Sequence, residues 1–132
     1  LPLAVRTANR VMCCHSLPGV RRLERFDAGV LDREPTDADL ADRGAANDMV
    51  WGRHHPQHVA DALSEAWGCR VFVLGHQPAE MGWFEQGQTM LVLASDHEHG
   101  MLLPIDLASE PTRDALIEKL VPINSISLEA GG

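Results

Sequence analysis

Apolar and polar positions along this chain follow two periods, and the switches between them lay out the elements. Leu3 to Arg6 and Arg10 to Cys14 are short apolar stretches on either side of Thr7-Ala8-Asn9, which predicts a hairpin. The second stretch stops at His15-Ser16-Leu17-Pro18-Gly19, a breaker cluster that makes a loop directly after a strand. Residues 20 to 50 are charged, with signals for short helices near Val20 to Phe26 and Thr36 to Asp42; the remainder reads as an excursion over the surface. Pro56 then stands at a first helical position. Val59, Ala60, Leu63, Ala66 and Trp67 follow at helical spacing, and Gly68 supplies the stop.

Val71 to Leu74 is apolar without interruption, as expected of a strand buried on both faces, and it ends at Gly75-His76-Gln77-Pro78. Gln86-Gly87-Gln88 reads as a turn. Met90 to Ala94 and Met101 to Leu107 predict two more strands joined by the polar segment Ser95 to Gly100, with Pro104 placing the later one at an edge or a bulge. Pro111 to Leu120 predicts a closing helix, and Ile123 to Leu128 alternates like a strand. The expected order is β-β, loop, α-β-β-β-α-β, an α/β arrangement.

Composition narrows the partners. A chain of 132 residues supports one ordinary domain with a core and is too short for two. Its 11 Lys and Arg against 19 Asp and Glu give a formal charge of -8, a surface that repels polyanions and argues against nucleic acid. Arg21, Arg22 and Arg25 are a compact basic cluster, but Glu24 and Asp27 dilute it into a solvated helix face. Cys13, Cys14 and Cys69 are too few and too irregular for a disulfide framework or a Cys-based zinc site. With no apolar run near the roughly 20 residues of a membrane span and no signal-peptide pattern, the expected setting is cytoplasmic, without a membrane partner. A start at Leu1, with strand-like sequence almost at once, is what a piece of a longer protein would show.

The chemistry concentrates where strands end. Val11-Met12-Cys13-Cys14 runs straight into His15, and Val71-Phe72-Val73-Leu74-Gly75 runs into His76. In open α/β sheets, ligands bind outside the carboxyl ends of strands, and a rigid strand gives a histidine at its tip the fixed geometry a metal site needs. Ser95-Asp96-His97-Glu98-His99 is a second dense cluster, which read alone suits a small metal site or a proton relay. A solvated hairpin turn explains it equally well.

The run Val11-Met12-Cys13-Cys14-His15-Ser16-Leu17-Pro18 resembles the strand-plus-histidine segment of Ser/Thr protein phosphatases, Cys-Cys-His-Gly-Gly-Leu-Ser-Pro. Val73-Leu74-Gly75-His76-Gln77 resembles the later histidine motif of the same calcineurin-like metallophosphoesterase superfamily. Residues 88 to 93 and 100 to 107 are similar to the paired strands that follow it. The resemblance covers about residues 2 to 107. It implies that residues 1–132 are a single partial domain, the C-terminal half of a four-layer α-β-β-α sandwich with a mixed sheet flanked by helices. It also implies two metal ions (Mn, Fe or Zn) bridged by hydroxide, with His15 and His76 both binding one of them. Arg53, in Trp51-Gly52-Arg53, lies near the family's phosphate-clamping arginine, with Arg43 as its rival. His97 falls on a loop that lines the family's active site and is expected to contact substrate or support the ligands.

Departures matter as much. Ser16-Leu17 stands where the family has Gly-Gly, and Pro78 stands where some members carry another histidine. The family's Asp-x-His, Gly-Asp-x-x-Asp and Gly-Asn-His blocks are absent and would lie upstream of Leu1; Asp42-Arg43-Gly44 matches a tail of the second block in the wrong order. The resemblance therefore implies a phosphoesterase, a phosphatase hydrolysing phosphomonoesters of a protein, nucleotide or small metabolite, whose isolated half has little or no activity and exposes apolar sheet surface through which it aggregates, dimerises or pairs with the missing half. Two alternatives stand beside it. One is a non-catalytic binding or assembly domain that keeps the fold. The other is a zinc hydrolase built from His15, His76, His97 and His99. His54 and His55, at the helix start, are expected to be solvated, and His58 to be structural or exposed.

Overall fold

The apolar runs assemble into one five-stranded mixed sheet in the computed structural model, which describes residues 1–126. Its strands are β1 (Ala4–Arg6), β2 (Val11–Cys14), β3 (Val71–Leu74), β4 (Trp83–Gln86) and β5 (Met90–Leu93), in the spatial order β1-β2-β3-β5-β4. β1 and β2 form the expected antiparallel hairpin, with Val5 opposite Cys13. β2, β3 and β5 run parallel, with Cys13 opposite Val73 and Val73 opposite Leu91. β4 returns antiparallel to β5, Phe84 facing Val92.

Side chains alternate across a sheet, so the three parallel strands divide their residues between two cores. Met12, Phe72, Leu74, Met90 and Val92 face one way, onto Val59, Ala60, Leu63 and Trp67 of α3 (Gln57–Trp67) and Met49 of α2 (Ala45–Trp51). Burying each such aliphatic side chain contributes about 1.5–3 kcal/mol. Gly68 ends α3 in the left-handed conformation (φ +64°), and its N–H caps the Ser64 carbonyl. Val11, Val71, Val73 and Leu91 face the other way, onto Leu116 of α4 (Arg113–Ile117) and the partly buried Leu103, Ile105 and Ile117. This second cover stops short of β1. There Val5 is 52% exposed, and with Cys13, Val73 and Leu93 it lines a shallow, largely apolar groove of about 350 Å³.

Several expected elements change. In the charged segment the short helix expected near Thr36 to Asp42 forms as α1 (Asp37–Leu40), the one near Val20 to Phe26 is a 3-10 turn (Leu23–Arg25), and a second 3-10 turn (Ala28–Asp32) and α2 were not expected. Thr36 and Asp39 close a capping box on α1, and Arg33 clamps the Asp39 carboxylate, which holds it well below the usual carboxylate range. The hairpin beside β5 is made by β4, not by the segment after Ser95. Only Met101–Leu102 of the expected later strand is extended, as β6, and it pairs with β7 (Val121–Pro122) in a separate two-stranded ladder. Pro104 follows and has no N–H to continue that ladder. Ile123–Ser125 is a 3-10 turn where a strand was expected, and positions 127 and 128 of that expectation lie outside the described residues. Among the described residues no helix is long and apolar enough to cross a membrane.

Candidate functional site

Parallel pairing brings the carboxyl ends of β2, β3 and β5 to one edge of the sheet, and the loops leaving them carry His15, His76 and His97. Cys14 is opposite Leu74, so the two chains leave the sheet side by side. The Gly75 N–H donates to the His15 carbonyl at 3.1 Å, which extends the ladder one step past the strands. His76 then takes a left-handed backbone (φ +64°), an unusual state for a residue with a Cβ. The outcome is that His15 Nε2 and His76 Nδ1 lie 3.0 Å apart, with the rings edge to face.

Arg53 arrives from the loop between α2 and α3. Its Nε–H donates to His76 Nε2 at 3.4 Å, so His76 Nδ1 carries the proton it shares with His15 Nε2. Partial burial, and after it the neighbouring His15 and Arg53, push the His76 pKa down and keep its imidazole neutral. Trp51, 67% exposed, stands edge-on to His76 at a centroid distance of 5.6 Å. Arg43, the rival for Arg53, is elsewhere: it lies on the turn after α1, its side chain 80% exposed and 3.9 Å from Asp42.

The Arg53 loop is stitched to the loop after β2. Ser16 N–H donates to the Met49 carbonyl, and Gly52 N–H donates to Ser16 Oγ at 3.0 Å. Glycine is required at position 52 by contact, because a Cβ there would lie 1.8 Å from the Leu17 carbonyl oxygen. Leu17 N–H donates to His55 Nε2 at 3.3 Å. His55 is therefore not the solvated helix-start residue expected. It is 2% exposed, its Nδ1 has no hydrogen-bond partner among the described residues, and burial, with lesser effects from His54 and His76, lowers its pKa to about 4. His54 and His58 are exposed.

A cleft of about 590 Å³ opens beside the pair, lined among others by His15, His76, Pro78, Leu93, Asp96 and His97. His97 thus reaches the expected cleft, but both ring nitrogens are engaged. Nδ1 accepts the His99 backbone N–H at 3.1 Å, which leaves Nε2–H to donate to the Ala79 carbonyl at 2.8 Å. As placed, it ties the loop after β5 to the loop after β3. His99 points at Glu98, 3.6 Å away on the surface. The four-histidine zinc site is not formed, and among the described residues no three His, Cys, Asp or Glu side chains are placed to share an ion. Cys14 contributes no reactive thiolate, since burial pushes its thiol up to about 12.

His15, His76 and Arg53 are thus brought together, while His97 lines the same cleft as a strut. The buried role of His55 and the glutamines around the Arg53 loop gave no signal in the sequence. Compared with family models the chain has no match, and compared with curated proteins it has none either.

Proposed function

We propose that His15, His76 and Arg53 are this chain's share of a metal-dependent phosphoesterase site of the calcineurin-like kind. The observation that carries the reading is the 3.0 Å between His15 Nε2 and His76 Nδ1. Two nitrogens each about 2.1 Å from one ion, seen from it at roughly a right angle, lie about 3.0 Å apart. An ion would take the place of the proton the two rings now share; that proton would pass to His76 Nε2, which would release the Arg53 Nε–H for an anion, and neutral imidazoles suit Mn, Fe or Zn. When bound, a pair of such ions would supply activation of water and charge neutralisation at phosphate oxygens.

The chain's own residues supply the rest. His15 and His76 would hold one ion at the rigid end of two adjacent strands. Arg53, exposed and beside His76, presents a guanidinium fork that suits two phosphate oxygens at once. The cleft running past Pro78 and Leu93 toward His97 would receive the organic part of the phosphomonoester. The ligands that complete the site would come from outside these residues. A four-layer sandwich agrees with a mixed sheet whose second face is left open beside β1.

A second reading, a domain that keeps the pair for binding or assembly without catalysis, draws on the lack of a third ligand among the described residues. One assay separates the two. The full-length protein is tested for Mn-dependent hydrolysis of p-nitrophenyl phosphate beside His15→Ala and His76→Ala. The phosphoesterase reading expects each variant to lose at least about 100-fold. Activity unchanged in both variants contradicts it, and metal binding with no hydrolysis favours the second reading.

A further inference from the structure

Arg53 is exposed on a loop, and a single long hydrogen bond of 3.4 Å is all that its own side chain makes to His76. The backbone around it is unfavourable as well. His54, the next residue, has φ +54°, and His76 has φ +64°. Left-handed conformations of this kind persist at non-glycine residues only where the surroundings over-determine them.

The surroundings here are a pair of glutamines. Gln77 follows His76 directly and is 4% exposed. Its Oε1 accepts the His54 backbone N–H at 3.1 Å and the Gln86 Nε2–H at 3.1 Å. Gln86, the last residue of β4, returns the arrangement: its Oε1 accepts the His55 backbone N–H at 3.1 Å and the Gln77 Nε2–H at 3.3 Å. The two amides pair reciprocally, and each also takes one N–H of the loop that carries Arg53. Both acceptor positions of each oxygen are filled, so neither amide oxygen is left for a ligand.

We propose that Gln77 and Gln86 are positioning residues: their amide pair ties the Arg53 loop to the His76 loop and so fixes Arg53 beside His76. Gln86 anchors the brace to a strand, and Gln77 shares a peptide bond with His76. A shift of either loop therefore breaks hydrogen bonds in the other. The inference rests on the phosphoesterase reading only for what Arg53 then binds. The brace itself rests on the four hydrogen bonds.

The test is a substitution series read by NMR on the labelled chain. Gln77→Met keeps the side-chain length and removes every hydrogen bond. Gln77→Glu keeps an oxygen for the His54 N–H and the Gln86 amide and gives up only the Nε2–H that Gln77 donates to Gln86 Oε1. The brace expects Gln77→Met to lose the nuclear Overhauser contact between Arg53 Nε–H and the His76 ring. It also expects amide exchange at His54 and His55 to quicken at least 10-fold (~1.4 kcal/mol) while the Val73 and Leu91 amides of the sheet stay protected. Gln77→Glu should retain the contact. Survival of the contact in Gln77→Met, or equal loss in both variants, overturns the brace. If Gln77→Met does not fold, Gln86→Met removes the same pairing from the β4 side and is read identically. A titration with inorganic phosphate on Arg53→Ala keeps the two readings apart: an unchanged affinity counts against Arg53 as the phosphate group and leaves the brace to be judged by the contact.

Discussion

His15 Nε2 and His76 Nδ1 meet at 3.0 Å although 61 positions separate them in the chain. Strand register alone does not make them meet, since His15 follows β2 directly and Gly75 intervenes after β3. The left-handed turn at His76 makes up that one-residue offset and directs the ring toward His15. Two imidazoles so placed, with a guanidinium against the second, are the arrangement that the proposed function takes as a ligand pair with a phosphate-binding group beside it.

Gly52→Ala should damage the site without touching it. The added methyl would meet the Leu17 carbonyl at 1.8 Å and His55 Cε1 at 2.7 Å, so the Arg53 loop must move away from the loop after His15. Overpacking of this kind costs about 1–3 kcal/mol. A drop in Tm of roughly 5–15 °C, together with loss of the Arg53–His76 contact, is the expected result of thermal unfolding and NMR on this variant.

The elements that the sequence made legible share one property: their signals are local. β1, β2, β3 and β5 are apolar runs that end at breakers, and α3 has both its 3.6-residue spacing and the Gly68 stop. The strand-end position of His15 and His76 is legible for the same reason. What escaped depends on partners far along the chain. β4 owes its existence to pairing with β5, and its last residue, Gln86, reads locally as the edge of a turn. α2 fully buries only Ala46 and Met49, too little periodicity to stand out among Asn47 and Asp48. The burial of His55 follows from the Leu17 N–H, and the engagement of both His97 nitrogens follows from the Ala79 carbonyl and the His99 N–H.

His55 should make stability depend on pH in a defined interval. Its folded-state pKa lies near 4 instead of the ordinary 6.5, so protons bind the unfolded chain more readily between those values. Its contribution is complete above pH 6.5 and is lost progressively as the pH falls toward 4. Urea unfolding at a series of pH values should show this fall, and His55→Gln should flatten it. An unaltered slope in the variant would assign the effect to other groups.

The open groove beside β1 predicts self-association. Val5, half exposed, shares a sheet face with Cys13, Val73 and Leu93, and a second copy laid against that face would take this apolar lining out of water. Sedimentation of the chain should show a dimer, and Val5→Glu should weaken it at least about 10-fold by setting a charge in the contact. A monodisperse monomer at high concentration would show that the groove drives no association.

Anomalous diffraction from crystals of the full-length protein grown with Mn or Zn tests the central claim most directly. The ligand-pair account predicts a metal peak between the two rings, about 2.1 Å from both His15 Nε2 and His76 Nδ1, and its disappearance in His76→Ala. A well-occupied metal elsewhere in the protein, with the two imidazoles still hydrogen-bonded to each other, would contradict it.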